Sequence, residues 1–92
     1  MKANFYATLR QITGQKTVEF VLPAEATIGE LLHKVLETYP PMVEHLLDEH
    51  GELYRHVHLF INGRDVCYLE NTLGTPLNPE DKVDFFPAVG GG

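Results

Sequence analysis

The chain runs to Gly90-Gly91-Gly92, so its most distinctive reactive group is a backbone carboxylate carried on three residues without side chains. Glycines at the end of a strand can thread a narrow catalytic channel that any Cβ would block, and a carboxylate delivered that way becomes an acyl donor once activated. Terminal glycines are also a common form of frayed end or cloning remnant, so the motif needs support from what precedes it. The other reactive side chains give less. His33, His45, His50, His56 and His58 supply five imidazoles, but their spacing matches no metal-ligand pattern and they read as solvated surface residues. Cys67 has no identifiable base beside it and reads as a small buried hydrophobe within a strand. Glu44, Asp48, Glu49 and Glu52 form a solvated acidic face. No metal site and no stably bound cofactor are expected.

The glycines follow a segment that would position them. Asp81 to Val89 alternates apolar and polar residues, the period of a strand with one buried face, and Pro87 stops pairing by removing an amide donor. Residues 88–92 are then expected to form a flexible Gly-rich tail beyond a domain spanning residues 1–87. At about 3.3–3.6 Å per residue that tail would reach roughly 16–18 Å.

Ninety-two residues with 43% hydrophobic content suit one domain with a single modest core. Thirteen acidic residues against seven basic give a net charge of −6, which disfavours nucleic acid and anionic membrane surfaces and would steer a basic protein partner inward. No apolar run is long enough to span a bilayer, and the first residues lack a secretory signal pattern. One cysteine precludes an internal disulfide and fits a reducing compartment, so the expected location is the cytoplasm.

Along the chain, Ala3 to Ile12 alternates Phe5, Ala7 and Leu9 against Tyr6, Thr8 and Arg10, which predicts a strand. Thr13-Gly14-Gln15-Lys16 turns the chain, and Val18, Phe20 and Leu22 predict a second strand, completing a hairpin before Pro23. Thr27-Ile28-Gly29-Glu30 has the spacing of a capping box, with Ile28, Leu31, Leu32, Val35 and Leu36 on one helical face and Pro40-Pro41 as the stop. Met42 to Glu49 predicts a second short helix. Val57 to Ile61 predicts a strand leading through the hairpin signal Asn62-Gly63 into a short strand at Val66-Cys67-Tyr68. Thr75 to Asp81 is turn-rich and delivers the chain into Val83 to Phe86. The order predicts an α+β, ubiquitin-like β-grasp: a mixed sheet of four to five strands, first and last adjacent and parallel, under one main helix.

The segment from Asn62-Gly63 through Thr75-Pro76-Leu77, followed by Asp81-x-Val83-x-Phe85-x-Pro87-x-Val89-x-Gly91-Gly92, resembles the ending of the ThiS/MoaD family of ubiquitin-like sulfur carriers. Lys2 to Arg10 and Thr27 to Leu36 resemble the family's opening strand and capped helix. Glu80 stands where a glycine is usual, and Pro87-Ala88 replaces a Pro-Pro pair. The segment from Leu53 to Val66 is longer than in the shortest members and is similar to the carrier that feeds cysteine biosynthesis.

The resemblance implies a protein co-substrate that is not itself an enzyme. An activating enzyme of the ubiquitin-activating type, using ATP and magnesium, would adenylate Gly92, and sulfide or a persulfide would displace AMP to leave a thiocarboxylate. Gly90 and Gly91 would thread the enzyme's channel. A sulfur-accepting synthase, and possible sulfurtransferases, would be the other partners, in molybdopterin, thiamin or cysteine formation. If Phe5, Ala7, Leu9, Val83 and Phe85 face the helix, Tyr6 and Phe86 project from the opposite face, where polar residues would be usual. Tyr6, Val66 and Phe86 look like the family's docking patch, with Phe60 and Val89 joining it and Arg10, Arg64 and Lys82 on its rim. Two other functions compete. A lysine attacking the same adenylate would make the chain a ubiquitin-like protein modifier, and a β-grasp interaction domain with an incidental tail would act without the glycines.

Overall fold

The helix Ile28–Thr38, α2, shows how the chain enforces its own boundaries. Thr27 Oγ1 accepts from the Glu30 amide at 3.2 Å while the Glu30 carboxylate accepts from the Thr27 amide at 3.4 Å, so the two N-terminal donors are satisfied reciprocally. The helix then runs Ile28–Thr38 with Ile28, Leu31, Leu32 and Val35 buried, and Pro40 and Pro41 follow its Tyr39 cap. The structure, a computed structural model, describes residues 1–87; residues 88–92 lie outside the described residues.

Alpha-2 covers one face of a five-stranded sheet in the order β2-β1-β5-β3-β4. The strands are β1 Lys2–Phe5, β2 Thr17–Glu19, β3 His58–Ile61, β4 Arg64–Asp65 and β5 Lys82–Phe86. Beta-1 and β5 run parallel in register Ala3 to Val83 and Phe5 to Phe85, and the other pairs are antiparallel. This is the expected β-grasp. Phe5 and Phe85 are fully buried and stack with ring centroids 4.9 Å apart, while Phe20 and Tyr39 approach Phe5 edge-on at 6.5 and 6.4 Å. No helix among the described residues is long and apolar enough to cross a membrane.

The first strand is shorter than its alternation predicts. After Phe5 the backbone reaches φ 53° at Ala7, which is exposed, and Thr8–Thr13 forms a short helix, α1. Leu9 is buried as expected, but from that helix. Phe5 and Leu9 are four residues apart, a spacing that fits either period, and Ile12 three residues later packs on the core as a helical residue would. Gly14 in the left-handed region closes α1 by donating to the Arg10 carbonyl at 2.9 Å, and the Phe5 amide bonding to Lys16 O at 2.7 Å returns the chain to β2.

Two other elements differ from their sequence reading. Helix α3 covers only Met42–Leu46, because the Asp48 side chain accepts from the amides of His50 and Glu52 and folds the following residues into a turn that bridges Leu47 to Leu53. Val66–Tyr68 forms a 3-10 turn in place of a strand, since Asp65 Oδ1 caps it through the Cys67 amide at 3.0 Å. Val66 is buried and Cys67 exposed, the reverse of the alternation expected there. The Asn62-Gly63 hairpin forms as read: both residues have positive φ, 50° and 85°. Asn62 also donates to Asp81 Oδ1 at 2.8 Å and accepts from the Lys82 amide at 3.0 Å, which ties this hairpin to the start of β5.

Candidate functional surface

The face of the sheet turned away from α2 is built in rows across the strands. Lys2 and Lys82 are partners in one row, with Glu19 beyond Lys2 on the edge strand. The next row reads Thr17, Asn4, Asp84, Phe60 and Asp65 across all five strands. A third row brings Tyr6, Phe86 and His58 together at the end of β5, immediately before Pro87. Strict alternation on β1 and β5 sets this arrangement, because Ala3, Phe5, Val83 and Phe85 take the buried positions.

Three of the expected docking residues meet here. Tyr6 stacks on Phe86 with centroids 4.3 Å apart and planes 5° from parallel, and Phe60 meets Phe86 edge-on at 5.4 Å. All three are half-buried. The Tyr6 amide donates to the Phe85 carbonyl at 3.3 Å, so the pairing of β1 with β5 carries one residue past β1 and delivers the ring onto Phe86. Lys16 Nζ lies 5.4 Å from the Tyr6 ring centre.

Polar contacts fix the stack. Asp84 Oδ1 accepts from Asn4 Nδ2 at 2.9 Å and from the Tyr6 hydroxyl at 3.3 Å, and Asn4 Oδ1 accepts from Thr17 Oγ1 at 2.7 Å. Partial burial, then the Asp84 charge and hydrogen bond, push the Tyr6 phenol above its usual value, keeping it a protonated donor. His58 Nδ1 lies 3.0 Å from Asp65 Oδ2. Burial acts to raise the Asp65 carboxyl, but the Cys67 amide, the Cys67 thiol and His58 outweigh it and hold the group below the usual carboxylate range. Hydrogen bonding to Asp65, then desolvation, raise the Cys67 thiol, which leaves it protonated and a poor nucleophile.

The other expected residues lie elsewhere. Val66 is not part of the patch: it is 5% exposed and packs into the core, because the 3-10 turn after Asp65 swings it inward. Of the rim residues, Lys82 shares the aromatic face, Arg10 is exposed on α1, and Arg64 pairs opposite Ile61 at the sheet edge, on the other parity. Val89, Gly90, Gly91 and Gly92 are outside the described residues. Asn4, Thr17, Asp84 and Asp65 escaped the sequence reading, and His58 was read there only as a solvated surface residue. Their signal was present in parity alone, since Asn4 and Asp84 alternate with buried residues just as Tyr6 and Phe86 do.

Pro87 opens onto a separate shallow groove of about 370 Å³ lined by Glu44, His45, Tyr54, Arg55 and His56. Among the described residues no three His, Cys, Asp or Glu side chains converge as a metal site. The arrangement offers recognition: an ordered aromatic stack, a fixed carboxylate beside it, and Pro87, the last described residue, at its border.

Comparison with known proteins agrees with the β-grasp fold. The sequence model of the ThiS family matches residues 3–92. Small archaeal modifier protein 3 of Haloferax volcanii is 34% identical over 92 residues, covering 100% of this chain and 98% of that protein. The crystal structure of SAMP1 from Haloferax volcanii superposes with a TM-score of 0.84 at 27% identity, covering 99% of this chain and 97% of that one. A chain in the crystal structure of the Amycolatopsis orientalis BexX/CysO complex gives a TM-score of 0.78 at 27% identity, with 99% and 98% coverage. The Archaeoglobus fulgidus protein described as a putative sulfur carrier protein is 33% identical over 66 residues, covering 72% of this chain and 74% of that protein.

Proposed function

Because the chain belongs to the ThiS family, we propose that it is a sulfur carrier, a protein co-substrate whose reactive group is the Gly92 carboxylate. The observation that carries this reading is the extent of the family match, which runs to residue 92 and so takes in the terminal glycines along with the β-grasp body.

A carboxylate is a poor acyl donor. In this reading a ubiquitin-activating-type enzyme joins the Gly92 oxygen to the α-phosphorus of ATP, with magnesium assisting and pyrophosphate leaving. Hydrosulfide then adds to the acyl carbon and AMP departs, giving a thiocarboxylate. If the sulfur arrives as an enzyme persulfide, the first product is an acyl disulfide, which a second thiol cleaves to release the thiocarboxylate and form a disulfide. The aromatic face docks the activating enzyme and then an acceptor, and its border at Pro87 sets where residues 88–92 enter the partner. Holding the acyl group inside a closed channel keeps water from it and makes the attack effectively unimolecular. The acceptor is an enzyme of cofactor or amino-acid biosynthesis.

A second reading is favoured by the matched modifier protein of Haloferax volcanii. A lysine amine attacking the same adenylate would leave an isopeptide bond and AMP. One experiment separates them. The purified chain is incubated with its host's adenylating enzyme, ATP, magnesium and a sulfur source, and its intact mass is measured. A gain of about 16 Da marks exchange of oxygen for sulfur. Lysine branches in host extracts that end in this chain's Gly-Gly, joined through Gly92, with no such gain, would favour the modifier, and full biological activity after removal of the glycines would overturn both.

A further inference from the structure

Asp84 stands at the centre of the aromatic face, on the middle strand of the sheet, and among the described residues its carboxylate forms no ion pair. The ion pairs among the described residues engage Glu19, Glu37, Glu49 and Asp65. Both of Asp84's hydrogen bonds, from Asn4 at 2.9 Å and Tyr6 at 3.3 Å, reach Oδ1. They hold the carboxylate in one orientation beside the rings. Phe60 is its cross-strand neighbour and Phe86 follows two residues along the same face. Lys2 and Lys82 occupy the next row, roughly 7 Å along the strands, and neither forms an ion pair with it within 4.0 Å.

We propose that this face recognises a partner protein through an arginine, its guanidinium laid against the Phe60 and Phe86 rings and hydrogen-bonded to the Asp84 carboxylate. The inference rests on the reading of this face as the surface that docks the activating enzyme. Three features carry it. A half-buried carboxylate at the centre of an apolar contact is a liability unless the incoming surface brings an opposite charge, because docking strips its remaining water. A planar guanidinium is the side chain that can both stack on aromatic faces and bond a carboxylate through two donors, which an ammonium does less well. The fixed orientation of Asp84 lowers the ordering needed when the pair forms. Net charge points the same way: at −6 the chain draws in basic partner surfaces.

The test is steady-state ATP–pyrophosphate exchange by the purified adenylating enzyme of the same organism, with the intact chain as varied substrate. Asp84→Asn keeps the oxygen that accepts from Asn4 and Tyr6, so the fold is retained, and unchanged amide exchange in β1 and β5 verifies this. The expected result is a KM raised about tenfold with kcat changed less than about twofold, and a much weaker dependence of KM on salt. In the activating enzyme, replacing the arginine responsible by glutamate should be offset by Asp84→Arg in this chain. If Asp84→Asn leaves KM unchanged while Phe86→Ala raises it, the aromatic docking face stands and the arginine is refuted. A rise in KM with Lys82→Gln and none with Asp84→Asn would mean that the face takes an acid, which also refutes it. If neither Phe86→Ala nor Asp84→Asn moves KM, the docking surface itself is wrong. No exchange with the unaltered chain would remove the carrier reading, and this inference with it.

Discussion

Tyr6 lies flat on Phe86, with ring centroids 4.3 Å apart, while its hydroxyl reaches Asp84 on the same strand as Phe86 at 3.3 Å. One residue is thereby held twice to β5, by stacking and by a hydrogen bond, on a surface where an isolated apolar ring would be left free to rotate. Removing the hydroxyl alone separates the two. Tyr6→Phe should keep the stack and lower stability by only about 0.5–1.5 kcal/mol, measured by denaturant unfolding. The proposed docking step should feel it more, because Asp84 then loses one of the two donors that orient it.

Adjacent phenylalanines on β5 should behave oppositely. Phe85 is fully buried against Phe5, so Phe85→Ala should cost about 3–5 kcal/mol of stability through lost transfer energy and the cavity left behind. Phe86 is half-buried on the other face, and Phe86→Ala should cost about 1 kcal/mol. Thermal unfolding ranks the two directly. Comparable losses would contradict the assignment of faces.

The capping box makes a narrower claim. Thr27→Ala removes the acceptor for the Glu30 amide at the start of α2 and should lower stability by about 1 kcal/mol. Thr27→Ser should restore most of it, since only the oxygen is needed. An unfolding midpoint unchanged by Thr27→Ala would mean that α2 is held by its buried stripe alone.

These predictions rest unevenly on what the sequence could disclose. The capping box, the double proline after Tyr39 and the Asn62-Gly63 turn are local signals with one dominant physical meaning, and each element appears where they place it. Thr8–Thr13 was not legible because Phe5, Ala7 and Leu9 satisfy an alternating pattern, while what decides the outcome is the return of the chain to Lys16 and the positive φ at Ala7. Val66 was misplaced for a related reason. A β-branched residue after a hairpin turn suggests a strand, but the Asp65 side chain supplies a closer partner for the Cys67 amide than a neighbouring strand does. Half the candidate surface was visible as Tyr6, Phe60 and Phe86. The polar half was not, because polar residues such as Asn4 and Asp84 are what an outward-facing sheet position ordinarily carries, so the alternation gave no sign of the hydrogen bond they form across the β1–β5 pairing.

Asp65 gives the fold an acid-sensitive contact. Its folded carboxyl lies below its usual value of 3.8, as the Cys67 and His58 interactions outweigh burial. The ionised form is therefore favoured in the folded state. Its contribution to stability is fully present above the unfolded value and is lost as pH falls through the folded one. The difference in stability between the unaltered chain and Asp65→Asn should accordingly be constant near about pH 5 and shrink below about pH 3.8. Denaturant unfolding across that range checks the sign, and a gap that widened toward acid would reverse the assignment.

The body and the terminal glycines should fail in different kinetic terms. In the proposed reading the aromatic face makes its docking contacts before the chemical step, so Phe86→Ala should raise the KM for adenylation and leave kcat close to its original value. Gly91→Ala leaves the sequence of residues 1–87 intact and should leave the unfolding midpoint and KM unchanged. A methyl group at residue 91 would obstruct a channel cut to the width of a bare backbone, and displacing the Gly92 carboxylate by even 1 Å from the α-phosphorus of ATP is enough to slow transfer about a hundredfold. Loss of Gly92 should abolish the gain of about 16 Da altogether, since the carboxylate then ends one residue short. The informative comparison is the pair of variants assayed together with one enzyme preparation. A rise in KM confined to Phe86→Ala and a fall in kcat confined to Gly91→Ala would assign recognition to the sheet and chemistry to the chain end. The same change in both variants would show that face and terminus act as one site, and the division of labour argued from the fold would be wrong.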